Sequence, residues 1–292
     1  MKASPSALQP WSLLRALPTL WRHGEPQAFE TGPWRLPPPG SGNWRGFAAA
    51  LGYAEDLAEP PLCWQFLQLS PALFEALLDR RLSASLGGLV HLSQRIERLS
   101  PCTQGPSELR LALQPEAQPG GALQLRVNAH WSQQGHDWLH SEGLLLLRAG
   151  TQRPPRERRE AREARAPRAA RLRPGERLAQ WELPADAGRR YARLSGDWNP
   201  IHLWPQTSRL LGFEQPIVHG MQSAARCEAE LMRHLGRPLH SLALQFRRRL
   251  SLPGAAALHD SNAAGRYLLL DQDGRLAAEV DAELDAAEGS GR

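Results

Sequence analysis

The chain has 292 residues, 41% hydrophobic and 22% charged, which allows one large or two packed globular units and excludes a disordered protein. Its net charge of +5 suggests a nucleic-acid binder only until it is located: Thr151 to Pro174 holds nine arginines and three glutamates, while the remainder has 26 basic against 27 acidic residues. No apolar run approaches the roughly 20 residues that span a bilayer. The three scattered cysteines, Cys63, Cys102 and Cys227, fit neither a disulfide framework nor a zinc site, so a cytoplasmic, reducing location is expected.

In chain order, Met1 to Arg22 carries apolar residues broken by Pro5, Pro10 and Pro18, without the continuous core of an export signal. Residues 1–40 read as an N-terminal extension. A helical stretch follows, and then ELRLALQP at 108–115, ALQLRVNAHW at 122–131 and WLHSEGLLLLRAG at 138–150. The first two alternate clearly, and turn residues separate all three, which predicts an antiparallel sheet. The stretch 151–174 has no aromatic residue and four prolines, so it reads as a linker. Beyond it another helical stretch precedes SLALQFRRRLSL at 241–252, GRYLLLDQDG at 265–274 and RLAAEVDAEL at 275–284, with Asp273-Gly274 as a hairpin signal. The expected division is therefore 1–40, 41–150, 151–174 and 175–292. The two larger units look like a weak repeat. Gly52 pairs with Gly196 and Tyr53 with Asp197, Trp64-Gln65 falls over His219-Gly220, and Gln94 lies over Gln245.

The chemistry concentrates in Tyr191 to Met221. Gly196, Asn199 and Pro200 predict a tight, exposed loop from Ser195 to His202. On such a loop Asp197 offers a carboxylate and His202 an imidazole that titrates near neutrality, and the two can hold one water. Val218-His219-Gly220-Met221 opens an apolar helical stretch, whose first backbone N–H groups can polarise a carbonyl oxygen. Ser195 lacks the GxSxG setting of a serine nucleophile and is assigned to hydrogen bonding within the loop. Arg247, Arg248 and Arg249 follow Phe246 on an expected strand, where Arg247 and Arg249 could meet phosphate groups.

Tyr191, Ser195, Gly196, Asp197, Asn199, Pro200, Ile201, His202 and Ser208 stand at the spacing of a known signature, continued by Gly212-Phe213 and Ile217 to Met221. They resemble the hydratase 2 signature of the MaoC-like dehydratase family. The likeness is strong over about 185–255, weak over 45–150 and absent elsewhere; Gln222 stands where relatives often carry an aromatic residue. The resemblance implies an α+β fold of two tandem hot-dog units, each an antiparallel sheet wrapped around a long helix, with the first unit degenerate. It implies hydration of trans-2-enoyl thioesters to (R)-3-hydroxyacyl thioesters. Asp197 and His202 would activate water, Asn199 would brace the loop, and Gly220 N–H would form the oxyanion hole. Tyr191, Ser195, His219, Met221, Arg247, Arg249 and Trp64 would contact the substrate. No metal or redox cofactor is expected, since coenzyme A or a carrier protein's phosphopantetheine enters as part of the substrate. No nucleic-acid partner is expected, and a homodimer is compatible with the reading. The alternatives are an acyl-thioester-binding hot-dog protein without turnover and a hot-dog thioesterase.

Overall fold

A computed structural model of the chain describes residues 26–79, 82, 89–118, 122–147 and 173–284. Residues 1–25 of the expected extension and 151–172 of the expected linker lie outside the described residues. Alternation builds the strands. Leu109, Leu111 and Leu113 on one strand, and Leu125, Val127, Ala129 and Trp131 on the next, are all buried, with Arg110, Ala112, Arg126, Asn128 and His130 between them on the other face.

Among the described residues ten strands form one antiparallel sheet: β1 Phe29–Leu36, β2 Val90–Arg98, β3 Ser107–Gln118, β4 Ala122–Gln133, β5 His136–Leu147, β6 Pro174–Leu183, β7 Leu239–Phe246, β8 Gly254–Ser261, β9 Arg266–Asp271 and β10 Leu276–Leu284. Their order is β1-β3-β4-β5-β2-β7-β10-β9-β8-β6. Numbered within its own half, each half reads first, third, fourth, fifth, second, and the two second strands pair antiparallel at the seam, Ser93 opposite Gln245 and Ile96 opposite Leu242. The duplication is therefore a fact of the topology.

Each half lays helices against the buried face. In the second half, α4 Ala187–Ser195 and α5 Pro205–Leu210 lead to the 16-residue α6 Gly220–Leu235. Ala224, Ala225, Cys227 and Ala229 on α6 are buried, and such small side chains let the helix axis lie close to the sheet. The first half has α1 Trp44–Leu51, α2 Leu62–Leu67 and α3 Ser70–Leu77. Where one long helix was expected, α2 and α3 are separate. Pro71 in the first turn of α3 has no amide hydrogen to donate, and its ring would strike the carbonyl four residues earlier in a continuous helix.

Four sequence expectations need correction. Phe29–Leu36, assigned to the extension, is an edge strand that pairs with β3; it shows little alternation to announce itself. The strand expected over 241–252 ends at Phe246, so Arg247, Arg248 and Arg249 lie in the irregular segment after it and not on a strand. The pairing of Gln94 with Gln245 is out of phase. Gln94 is 3% exposed whereas Gln245 faces solvent, the consequence of a one-residue slip in a structure of period two. Last, β2, β6 and β8 were not anticipated as strands; β6 is mostly solvated and β8 begins directly after the Ser251-Leu252-Pro253 turn.

Candidate active site

The loop between α4 and α6 is folded by its own short-range hydrogen bonds. Helix α4 ends on Gly196, whose φ of 75° is the left-handed conformation that glycine adopts without strain. Ser195 Oγ donates to Tyr191 O (2.9 Å) and accepts from Asp197 N (3.2 Å). Asp197 Oδ1 accepts from Asn199 N (3.0 Å), and Asn199 Oδ1 accepts from Ile201 N (3.3 Å), capping the 3-10 turn Pro200–His202. Ser195 and Asn199 thus hold the loop, as expected of them. Ile201, Phe213 and Ile217 form a small apolar cluster beneath it. The loop is less exposed than predicted, since Ile201 and His202 are buried. Gly188 on α4 makes that possible: a Cβ there would collide with the His202 carbonyl oxygen.

Three polar side chains converge. One ligating atom each from Asp197, His202 and His219 lie within 4.8 Å of one another. His202 Nδ1 donates to Ile217 O at 2.7 Å; a carbonyl only accepts, so the neutral ring carries its hydrogen on Nδ1 and leaves Nε2 as an acceptor. By the same reasoning His219 Nε2 donates to Asp197 O at 3.0 Å. His219 Nδ1 is buried without a hydrogen-bond partner among the described residues, and so is the hydroxyl of Tyr191, whose ring lies 4.9 Å from that of His219. Two imidazoles and a carboxylate could offer donors to a divalent ion. Here, however, the two imidazoles stack at 3.7 Å and 26°, so their lone pairs run alongside each other instead of converging.

Burial holds His202 below its ordinary value, against the pull of Asp197 and the Ile217 carbonyl. Burial first and then the facing His202 ring push His219 down to about 3. Withdrawal from bulk water works to raise the Asp197 carboxyl, but His219, His202 and the Asn199 N–H outweigh it and leave it below its usual value. At neutral pH the site therefore holds one carboxylate and two neutral imidazoles.

Helix α6 begins beside them. His219 precedes it in an extended conformation with no side-chain cap, and Gln222 N and Ser223 N bond back to His219 O. The N–H groups of Gly220 and Met221 have no acceptor within the helix. A Cβ on Gly220 would stand 3.1 Å from the tip of the Phe246 ring, so only glycine fits there comfortably. Met221 packs into the core. The structure thus assembles Tyr191, Ser195, Asp197, Asn199, His202, His219 and Gly220. Of the other expected contacts, Arg247 bonds Glu279 (2.9 Å) and Gln245 (2.6 Å) and Trp64 packs on Phe47 at 5.5 Å within the first half, while Arg249 lies at 5.2 Å over the ring of Phe213, a member of the apolar cluster beneath the loop.

The counterpart position in the first half is closed by the chain itself. Gly52 ends α1 with a φ of 79°, as Gly196 ends α4, and Tyr53 follows it as Asp197 follows Gly196. The true counterpart of His219-Gly220 is Pro61-Leu62, an extended residue opening α2, and not Trp64-Gln65, which sit inside that helix. There Glu228 of α6, 1% exposed, accepts from Leu62 N (2.7 Å), Cys63 N (2.9 Å) and the Tyr53 hydroxyl (2.7 Å). Burial pushes the Glu228 carboxyl up, while Cys63, Tyr53 and Leu62 pull the other way. Sequence reasoning missed Glu228. The signal was available: a charge at helical spacing from Ala224, Ala225 and Leu231 falls on the apolar face of α6.

Comparison with known proteins agrees with this frame. Residues 157–248 match the family described as MaoC like domain. A stretch of 79 residues is 34% identical to 3-hydroxyacyl-thioester dehydratase X of Mycobacterium tuberculosis, covering 27% of this chain and 28% of that protein. Another of 29 residues is 59% identical to peroxisomal multifunctional enzyme type 2 of Mus musculus, covering 10% of this chain and 4% of that one. The chain therefore spans less than a third of the length of the curated relatives it matches. Among solved structures, HtdX of Mycobacterium tuberculosis superposes with a TM-score of 0.66 at 20% identity, covering 88% of this chain and 99% of that one. A conserved Mycobacterium tuberculosis protein described as a double hotdog fold superposes with a TM-score of 0.51 at 14% identity, over 89% of this chain and 96% of that one.

Proposed function

We propose, for a chain that carries a MaoC-like dehydratase domain within a double hot-dog fold, that it is a hydro-lyase acting on acyl thioesters, adding water to a trans-2-enoyl thioester to give the (R)-3-hydroxyacyl product. One observation carries the reading. His202 presents an unprotonated Nε2, its tautomer fixed by Ile217 O, beside the Asp197 carboxylate and the open first turn of α6. A water bridging two acceptors needs two hydrogen bonds of about 2.8 Å each, a span that the 4.8 Å cluster accommodates.

The chemistry follows from those positions. Gly220 N–H polarises the thioester carbonyl, which makes C3 electrophilic. As the water oxygen bonds to C3, His202 Nε2 accepts its proton, and charge develops on the carbonyl oxygen beside the helix start. The enolate then takes a proton at C2 from the same pair, so that H and OH have added across the double bond. Stacking of His219 on His202 disfavours two positive charges, so His219 stays neutral while His202 cycles.

Crotonyl-CoA is the direct probe: its conjugated absorbance should fall, the (R)-3-hydroxy product should appear, and free thiol should not. Release of thiol would identify a thioesterase, and binding without change of absorbance a protein that holds acyl thioesters without turning them over.

A further inference from the structure

The first half bears an ordered polar group on the face it shares with the catalytic loop. His91 and Gln94 are three residues apart on β2, a spacing that puts side chains on opposite faces of a regular strand. An irregularity in the β2–β5 pairing between His91 and Ser93 changes that phase, and bulges commonly re-aim side chains in this way. The result is a hydrogen bond of 3.0 Å between His91 Nε2 and Gln94 Oε1. Gln94 is itself fixed, donating to Ser141 Oγ (2.6 Å) and Glu142 O (3.1 Å). Opposite it in register is Gly143, where a Cβ would stand 2.8 Å from Gln94 Oε1 and 3.8 Å from His91 Nε2. A bulge, a glycine and a buried amide thus combine to hold one imidazole in place.

That imidazole points toward the site. His91 is only partly buried, while Gln94 beneath it is 3% exposed. The His91 ring packs between Phe66 (6.5 Å) and Phe246 (5.4 Å), and Phe246 is the ring that abuts Gly220. We infer that His91 is a substrate-contacting residue supplied by the first half: with Phe246 it stands beside the Gly220 helix start, and through Nδ1, left as an acceptor because Nε2–H is given to Gln94 Oε1, it takes a hydrogen bond from the pantetheine amide N–H nearest the thioester. Burial pushes His91 down to about 4, so at neutral pH the ring meets the uncharged thioester as a neutral imidazole.

The inference rests on the thioester reading above, and its test separates the two. The full-length protein, its His91→Phe variant and its His91→Gln variant are compared for crotonyl-CoA turnover and for calorimetric affinity toward butyryl-CoA, which cannot be hydrated. Phenylalanine keeps the stack between Phe66 and Phe246 and removes the nitrogen atoms. It should raise KM and the butyryl-CoA Kd about tenfold, the loss of one neutral hydrogen bond, with kcat little changed, and glutamine should recover part of the affinity. Wild-type KM and Kd in folded His91→Phe, or no difference between the two variants, overturns the role of His91. If His91→Phe does not fold, wild-type constants in His91→Gln and in His91→Leu overturn it equally. Failure of the wild type to hydrate crotonyl-CoA while binding butyryl-CoA counts against the hydro-lyase reading alone, and the Kd comparison then still decides the contact.

Discussion

Removal of the Glu228 carboxylate should destabilise the fold without touching the reacting atoms. In Glu228→Ala two backbone N–H groups and the Tyr53 hydroxyl lose their acceptor in a position 1% exposed. Each orphaned buried donor costs about 1–3 kcal/mol, partly offset because a buried carboxylate no longer has to be desolvated. A net loss of about 4 kcal/mol follows, which for a chain of this size lowers Tm by roughly 10 °C. Tyr53→Phe removes one bond to a charged acceptor and should cost about 1.5–3 kcal/mol. Because the two side chains share that bond, the double variant should lose less than the sum of the singles by at least about 1 kcal/mol. The sign with pH is also determined. Burial raises the folded-state value of Glu228, so the native protein binds its proton more tightly than the unfolded chain. The carboxyl's contribution is therefore full below the ordinary carboxyl value and declines as pH rises through the raised one. The advantage of wild type over Glu228→Gln should shrink over that window. Urea denaturation of wild type and the four variants across pH measures all of this. Stabilities of Glu228→Ala and Tyr53→Phe within 0.5 kcal/mol of wild type, a margin about the size of an ordinary surface substitution, would show that the three bonds do not hold the halves together.

Asp197→Asn and His202→Gln should each lower crotonyl-CoA turnover at least about a hundredfold in folded protein, and the double variant should be little worse than the worse single, because both side chains serve one water; multiplicative losses would place them in separate steps. Gly188→Ala should displace the His202 carbonyl, lowering kcat and Tm together, whereas alanine at the exposed neighbour Arg190 should leave kcat unchanged. His219, held near 3 against an ordinary 6.5, should make stability fall as pH drops below about 6.5, by up to about 1.4 kcal/mol per unit, since the unfolded chain takes up the proton first. His219→Gln should flatten that slope in acid denaturation curves, and an unchanged slope would assign it to other groups.

The sequence disclosed the site more fully than the frame that carries it. Ser195, Asp197 and Asn199 act through partners two to four positions away: Ser195 on Tyr191, Asp197 on Asn199, Asn199 on Ile201. Such bonds depend on spacing, and spacing is what a sequence displays. The alternating strands β3 and β4 were legible for the same reason, as was the β9–β10 hairpin, where Gly274 N bonds Asp271 O at Asp273-Gly274. What escaped is long-range. Glu228 meets Leu62 and Cys63 across more than 160 residues, and Gly188 is small for a carbonyl on another element. The repeat was found at its local anchor, the left-handed glycines, and lost where it depended on strand phase, at Gln94 and Gln245.

The same contrast explains why the proposed function assigns one catalytic centre to a duplicated fold. Both halves turn their first helix on a left-handed glycine and open a later helix from an extended residue, so each presents an N–H pair beside the residue that follows the glycine. In the second half that residue is Asp197, half-exposed at 51%, with His202 and His219 beside it. In the first it is Tyr53, whose hydroxyl joins Leu62 N and Cys63 N around a carboxylate delivered by α6, the helix that opens at Gly220. An acceptor supplied by the chain at 2.7–2.9 Å excludes a substrate carbonyl from those donors. The donors at that counterpart position instead anchor the helix whose start the proposed function assigns to the thioester carbonyl, so the closed half fixes the geometry of the other.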